Sequence, residues 1–103
     1  MPESVMIDAV RYAICHVKEP LLLEGCECNA VVEYNTAQIK MLGGGNIGEG
    51  NKAKLLMHEI VHAILFERGL TEHAGDEDLV SELASGFVNL VRANPNLMEF
   101  LQG

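Results

Sequence analysis

His58, Glu59 and His62 fall in one short run, His58-Glu59-Ile60-Val61-His62. Histidines at this spacing on a helix stack on one face, a turn apart. Two imidazole nitrogens so placed can reach one tetrahedral Zn²⁺ at about 2.0–2.1 Å each. Glu59 is displaced to the side of the pair, where its carboxylate can reach a water at the metal rather than the metal itself. This is the H-E-x-x-H arrangement, in which the glutamate acts as general base. From the chain's own His and Glu content, such a run arises by chance about 2 times in 100. The ordinary alternative is two surface histidines beside an acid. The flanks argue against it, because Leu55-Leu56-Met57 precede the run and Ile60, Val61, Ala63, Ile64, Leu65 and Phe66 surround it. A helix this apolar is buried on most sides. Buried imidazoles and a buried carboxylate need partners, and a metal supplies them.

A catalytic zinc takes a third protein ligand and keeps one position open for water. The downstream candidates are His73, Asp76, Glu77, Asp78 and Glu82. At about 100° per residue, the apolar arc of the last long helix centres near Val80, Ala84 and Phe87. Glu77 lies roughly 60° from Val80, whereas Asp78 and Glu82 lie roughly 160° away on the solvent side. An acid at the edge of a buried face is the one that needs a function, so Glu77 is the expected third ligand. It also sits in a first helical turn, where acids meet the helix dipole favourably without any metal. Glu82 is the next choice. His73 would complete a three-histidine site, or hydrogen-bond the transition state as an oxyanion stabiliser.

The elements that position these residues are read from periodicity and breakers. Val5, Ala9, Tyr12, Ala13 and Val17 can share one helical face, which predicts a first helix over Ser4 to Lys18, capped by Ser4 and ended by Pro20. Leu21-Leu22-Leu23 and Gly25 follow. Ala30 to Tyr34 and Ala37 to Leu42 read as strands joined at Asn35-Thr36. The glycine-dense stretch Gly43 to Gly50 reads as a loop, a flap beside the cleft. Asn51 is expected to cap the motif helix, which runs to Arg68 with Gly69 as its stop. A loop from Leu70 to Gly75 leads to Asp76, the N-cap of the last helix, and Asn94-Pro95 breaks that helix. The expected fold class is α+β, a small antiparallel hairpin or sheet packed with three helices, with the motif on the central one, forming one domain over residues 1–103.

Composition narrows the function. A chain of 103 residues that is 49% hydrophobic can bury a core, filled by aliphatic side chains since only 5% of residues are aromatic. The net charge of −8, from 7 basic and 15 acidic residues, argues against a nucleic-acid partner and against anionic membranes. No apolar run approaches the roughly 18 residues that span a bilayer. Met1-Pro2-Glu3-Ser4 lacks the basic start and apolar stretch of a signal peptide, so the expected location is cytoplasmic. Three cysteines, an odd number, suit a reducing compartment.

Other motifs are weaker. Cys26 and Cys28, with Cys15 and His16, lack the usual zinc-finger spacing and read as free, largely buried thiols. Gly45 and Gly50 have a P-loop interval, but Asn51-Lys52 follows where Lys-Ser or Lys-Thr is required. The acids Glu72, Asp76, Glu77 and Asp78 lack the alternation of an EF-hand.

His58-Glu59-Ile60-Val61-His62 with an acid on the next helix resembles the gluzincin pattern. The chain is similar over roughly Val31 to Val91 to the ImmA/IrrE-type metallopeptidase domains of bacteria and their phages. That family's second motif is roughly E-x-x-A-N-x-F-A, and Glu77-Asp78-Leu79-Val80-Ser81-Glu82-Leu83-Ala84 matches its glutamate and final alanine, with Val80, Ser81 and Leu83 as substitutions. The resemblance implies Glu77 as third ligand, one Zn²⁺ per chain, and a peptide or protein substrate received on an edge strand before the motif helix, here Ala37 to Leu42. Where the family continues into Leu-Leu-Met-Pro, this chain has Phe87-Val88-Asn89-Leu90-Val91, and no helix-turn-helix module is read in these residues. The expectation is a minimal stand-alone member of phage or prophage origin.

The leading expectation is therefore a zinc metallopeptidase that hydrolyses a peptide bond with Glu59-activated water. A zinc-binding regulatory or interaction module that cuts nothing is the first rival, and the presence of Glu59 opposes it. A metal-free interaction protein is the second. Substrate, cleavage preference and oligomeric state are not encoded in readable form.

Overall fold

The computed structural model describes residues 1–43 and 49–103. Among the described residues, six strands precede four helices. Strands β1 (Ser4–Ile7) and β2 (Val10–Val17) form an antiparallel hairpin where the sequence suggested a helix. The helical spacing of Val5, Ala9, Tyr12, Ala13 and Val17 competes with a period of 2 that also runs through the segment. Across the hairpin Val5 faces Tyr12 and Ile7 faces Val10, so with Ile14 these side chains share one sheet face. Ile7, Tyr12 and Ile14 are buried on it, while Met6 and Arg11 of the other face are exposed. The turn is Asp8-Ala9, and Asp8 adopts φ 52, a left-handed value that Asp tolerates better than most residues.

β3 (Leu21–Leu23) and β4 (Cys26–Cys28) make a separate small hairpin turning at Glu24-Gly25. β5 (Ala30–Glu33) and β6 (Gln38–Leu42) are the expected antiparallel pair, with Val32 opposite Ile39 and Ala30 opposite Met41. The main sheet has the order β1-β2-β6-β5 and is mixed, because β2 and β6 run parallel, with Ile14 beside Ile39. This corrects two expectations. The sheet is not purely antiparallel, and Ala37 to Leu42 is not an edge strand: β6 lies between β2 and β5, and β5 takes the edge.

α1 (Glu49–Glu67) begins before Asn51, which lies inside the helix and is not its cap. The rest of the expected glycine flap, residues 44–48, lies outside the described residues. Gly69 ends the helix as expected. It sits at φ 79, and Gly69 N–H donates to the Phe66 carbonyl at 3.0 Å while Leu70 N–H donates to the Leu65 carbonyl at 2.8 Å. These two bonds form a Schellman closure that satisfies carbonyls the helix would leave open. The expected loop from Leu70 contains a short helix, α2 (Thr71–Ala74). Asp76 then caps α3 (Glu77–Ala93) by accepting from Leu79 N–H at 3.1 Å. Pro95 opens α4 (Pro95–Leu101) at a position where its missing N–H costs nothing.

α1 explains its own composition. Leu55, Leu56, Ile60, Ala63 and Ile64 pack on the sheet core of Tyr12, Ile39 and Met41. Met57, Val61 and Leu65 pack on Val80, Ala84 and Leu83 of α3. A helix wedged between a sheet and a second helix is apolar on two sides, and only one stripe is left for polar side chains. Lys54, Glu59 and the two histidines occupy that stripe. Among the described residues no helix is long and apolar enough to cross a membrane.

Candidate metal centre

α1 and the first turn of α3 bring three expected residues together. His58 Nε2 and His62 Nε2 are 3.1 Å apart. Glu77 Oε2 lies 3.0 Å from the first and Glu77 Oε1 lies 3.0 Å from the second. One ligand atom from each of the three falls within 4.8 Å of the others, a group that could hold a metal ion.

The outer nitrogens decide the chemistry of the inner ones. His62 Nδ1 meets the carbonyl of Ala74, which has no hydrogen to give, so this nitrogen is the donor. Ser81 Oγ lies 3.3 Å from His58 Nδ1. His62 Nε2 therefore presents a lone pair, and His58 Nε2 presents one when its Nδ1–H donates to the Ser81 hydroxyl, which can accept as well as donate. In that tautomer two lone pairs and a carboxylate converge at about 3 Å, and a proton or a metal cation among them relieves their repulsion. The donor set of two imidazoles and one carboxylate is one that Zn²⁺ accepts, and the fixed Nδ1 partners are the usual outer support of metal-bound histidine.

Glu59 is not part of this triad. It is only 5% exposed, and its Oε2 is buried without a hydrogen-bond partner among the described residues. An orphaned carboxylate oxygen of this kind needs a partner that the described residues do not supply. Burial foremost, and the nearby Glu77 charge second, push its carboxyl up to about 7.

Glu77 reaches the histidines by a different route from the one expected. Its side chain is 63% exposed and extends from the first turn of α3 across to α1. The buried stripe of α3 is Val80, Ala84 and Val88, while Phe87, expected near the centre of that arc, is 42% exposed. Glu82 is exposed and outside the triad. His73 lies on α2, is exposed, and neither joins the triad nor lines the neighbouring cavity. The cysteines are free as expected, but Cys26 is exposed and Cys15 and Cys28 are half-buried. Among the described residues they belong to no group that could hold a metal.

The triad opens into a cavity of about 930 Å³ bounded by the β3–β4 hairpin, β5, α1 and the start of α3. Two residues that the sequence did not single out stand out here. Tyr34 lines the cavity and stacks flat on Phe66, with ring centroids 4.0 Å apart and planes at 10°. Burial first, then the charges of Glu59 and Glu77, raise its phenol above the ordinary value, so it stays a proton donor. Ser81 stands four residues after Glu77, one helical turn, and that spacing was the signal that could have found it. Tyr34 had no such signal, because it depends on the fold bringing the end of β5 to the side of α1. Comparison with protein-family models, curated proteins and solved structures finds no match.

Proposed function

We propose that this chain is a zinc-dependent peptidase of the gluzincin type, related to the ImmA/IrrE-type metallopeptidases. The observation that carries the reading is the convergence of two imidazole Nε2 atoms and one carboxylate beside a buried Glu59 Oε2 that has no partner among the described residues. His58, His62 and Glu77 would hold the ion. When bound, Zn²⁺ supplies Lewis-acid polarisation of a carbonyl oxygen and lowers the pKa of water. Glu59 takes the proton of the attacking water at its free oxygen and delivers it to the leaving amine, a task suited to a carboxyl poised near neutrality. The Tyr34 phenol donates a hydrogen bond to the carbonyl oxygen as negative charge develops there. β5, at the open edge of the sheet and along the cavity, offers backbone groups to an extended peptide. Free thiols and an acidic chain suit a cytoplasmic location.

Glu59→Gln tests the reading. It preserves size and removes the base, so cleavage of an unfolded protein substrate should fall by about 10²–10⁴-fold while zinc content stays unchanged. Wild-type cleavage by this variant would refute the assigned base. In the same assay Tyr34→Phe should lower kcat by about 10²-fold with KM nearly unchanged. An unchanged kcat would remove Tyr34 from the mechanism.

A further inference from the structure

Lys54 stands one turn before His58 on α1, and both line the cavity. Positions 54, 58 and 62 lie one above another on a helix, with a rise of about 6 Å per step. Lys54 therefore shares one wall of the cavity with the two histidines. Among the described residues that form this cavity, it is the only lysine or arginine.

Its lack of a partner is informative. Arg11 donates to Ser4, Lys40 pairs with Glu33, Arg68 pairs with Asp8, and Lys52 and Arg92 also interact. Lys54 and Lys18 make no hydrogen bond or ion pair with the described residues, although the chain carries 15 acids, but Lys18 is exposed and does not line the cavity. None of the three acids that line the cavity serves Lys54: Glu77 is turned to the histidines, Glu59 is buried with a free oxygen, and Glu24 makes no ion pair with it. A half-buried lysine in a concave site, without an ion pair among the described residues of a chain of net charge −8, is a local attractor for an anion in an otherwise repelling field.

We infer that Lys54 selects a carboxylate on the substrate, held within about two residues of the scissile bond. This rests on the peptidase reading. The distance follows from one helical step of about 6 Å and a peptide rise of about 3.3 Å per residue. The carboxylate is either an Asp or Glu side chain or the C-terminal carboxylate of the peptide, and the two sources separate in the test.

The test is binding to the Glu59→Gln protein, with and without added Zn²⁺, followed by nuclear magnetic resonance titration. Three alanine-based hexapeptides serve as probes: one blocked at both ends with a central Glu, one with only the C-terminus free, and one blocked and neutral. One of the acidic probes should bind about five- to tenfold more tightly than the neutral one. Lys54→Ala should abolish that preference, and Lys54→Glu should turn it against the acidic probe. A preferred central Glu identifies side-chain recognition, and a preferred free C-terminus identifies carboxypeptidase-like recognition. Equal binding of all three probes, or a preference that survives Lys54→Ala, overturns the inference. Zinc content measured on the same samples separates the two readings. Failure to take up zinc counts against the peptidase, while the role of Lys54, which is not a ligand, is still read from the metal-free titration.

Discussion

Ser81 and the Ala74 carbonyl touch the candidate metal centre without belonging to the group of His58, His62 and Glu77. Each meets the outer nitrogen of one histidine; the Ala74 carbonyl fixes the His62 tautomer, and the Ser81 hydroxyl can hold His58 in the same one by accepting from Nδ1. The two contacts differ in strength. The Ala74 carbonyl is fixed by backbone, whereas the Ser81 hydroxyl, at 3.3 Å on an exposed part of α3, can rotate away. Ser81→Ala should accordingly weaken zinc affinity by about tenfold without abolishing binding, since loss of an outer hydrogen bond costs about 10–100-fold. Competition with a chromogenic chelator measures this. An unchanged affinity would show that His58 holds its tautomer without Ser81. The approach of His58 to His62 was legible in the sequence because a four-residue spacing stacks two side chains on one helix face. The role of Ser81 was not, because a serine in an amphipathic helix has many ordinary explanations.

The elements are tied together by contacts far apart in sequence. Tyr12 of β2 is fully buried and donates its phenol to Glu67 at the end of α1, at 2.6 Å. Arg68 then joins Asp8 of the β1–β2 turn at 2.9 Å. These bonds fix the far end of the helix whose middle carries the histidines. Burial, followed by the hydrogen bond and charge of Glu67, raises the Tyr12 phenol well above its ordinary value of 10.0. A group whose folded pKa is raised contributes stability that is complete below the unfolded pKa and is lost as pH rises above it. Tyr12→Phe should therefore cost about 1 kcal/mol at pH 7, and the wild type should lose that advantage progressively above pH 10. Urea unfolding between pH 7 and 11 checks this, and parallel alkaline limbs for the two proteins would contradict it. The same segment shows why the first element was misread from sequence. Helical and alternating patterns overlap between Ser4 and Val17, and the pairing that selects the strand is supplied by β6, more than twenty residues later. Local propensity does not contain that partner. Gly69 and Asp76 were legible because helix ends are local chemistry.

At the scale of the whole molecule, α1 is the shared member of two packed layers. One of its faces closes the sheet core and another meets α3. The stripe left between them meets the first turn of α3, and only there do His58, His62 and Glu77 converge. The α+β class and the central place of the motif helix followed from its apolar flanks. The parallel β2–β6 pair and the transfer of the sheet edge to β5 did not, because strand order depends on long-range register. The central claim is that this junction binds one catalytic Zn²⁺. The most direct measurement is elemental analysis of the untagged protein after exchange into metal-free buffer and re-addition of zinc. The account predicts about one zinc per chain, with marked loss in His58→Ala, His62→Ala and Glu77→Ala while all three variants remain folded. Folded wild-type protein that takes up no zinc, or three variants that retain it fully, would contradict the account.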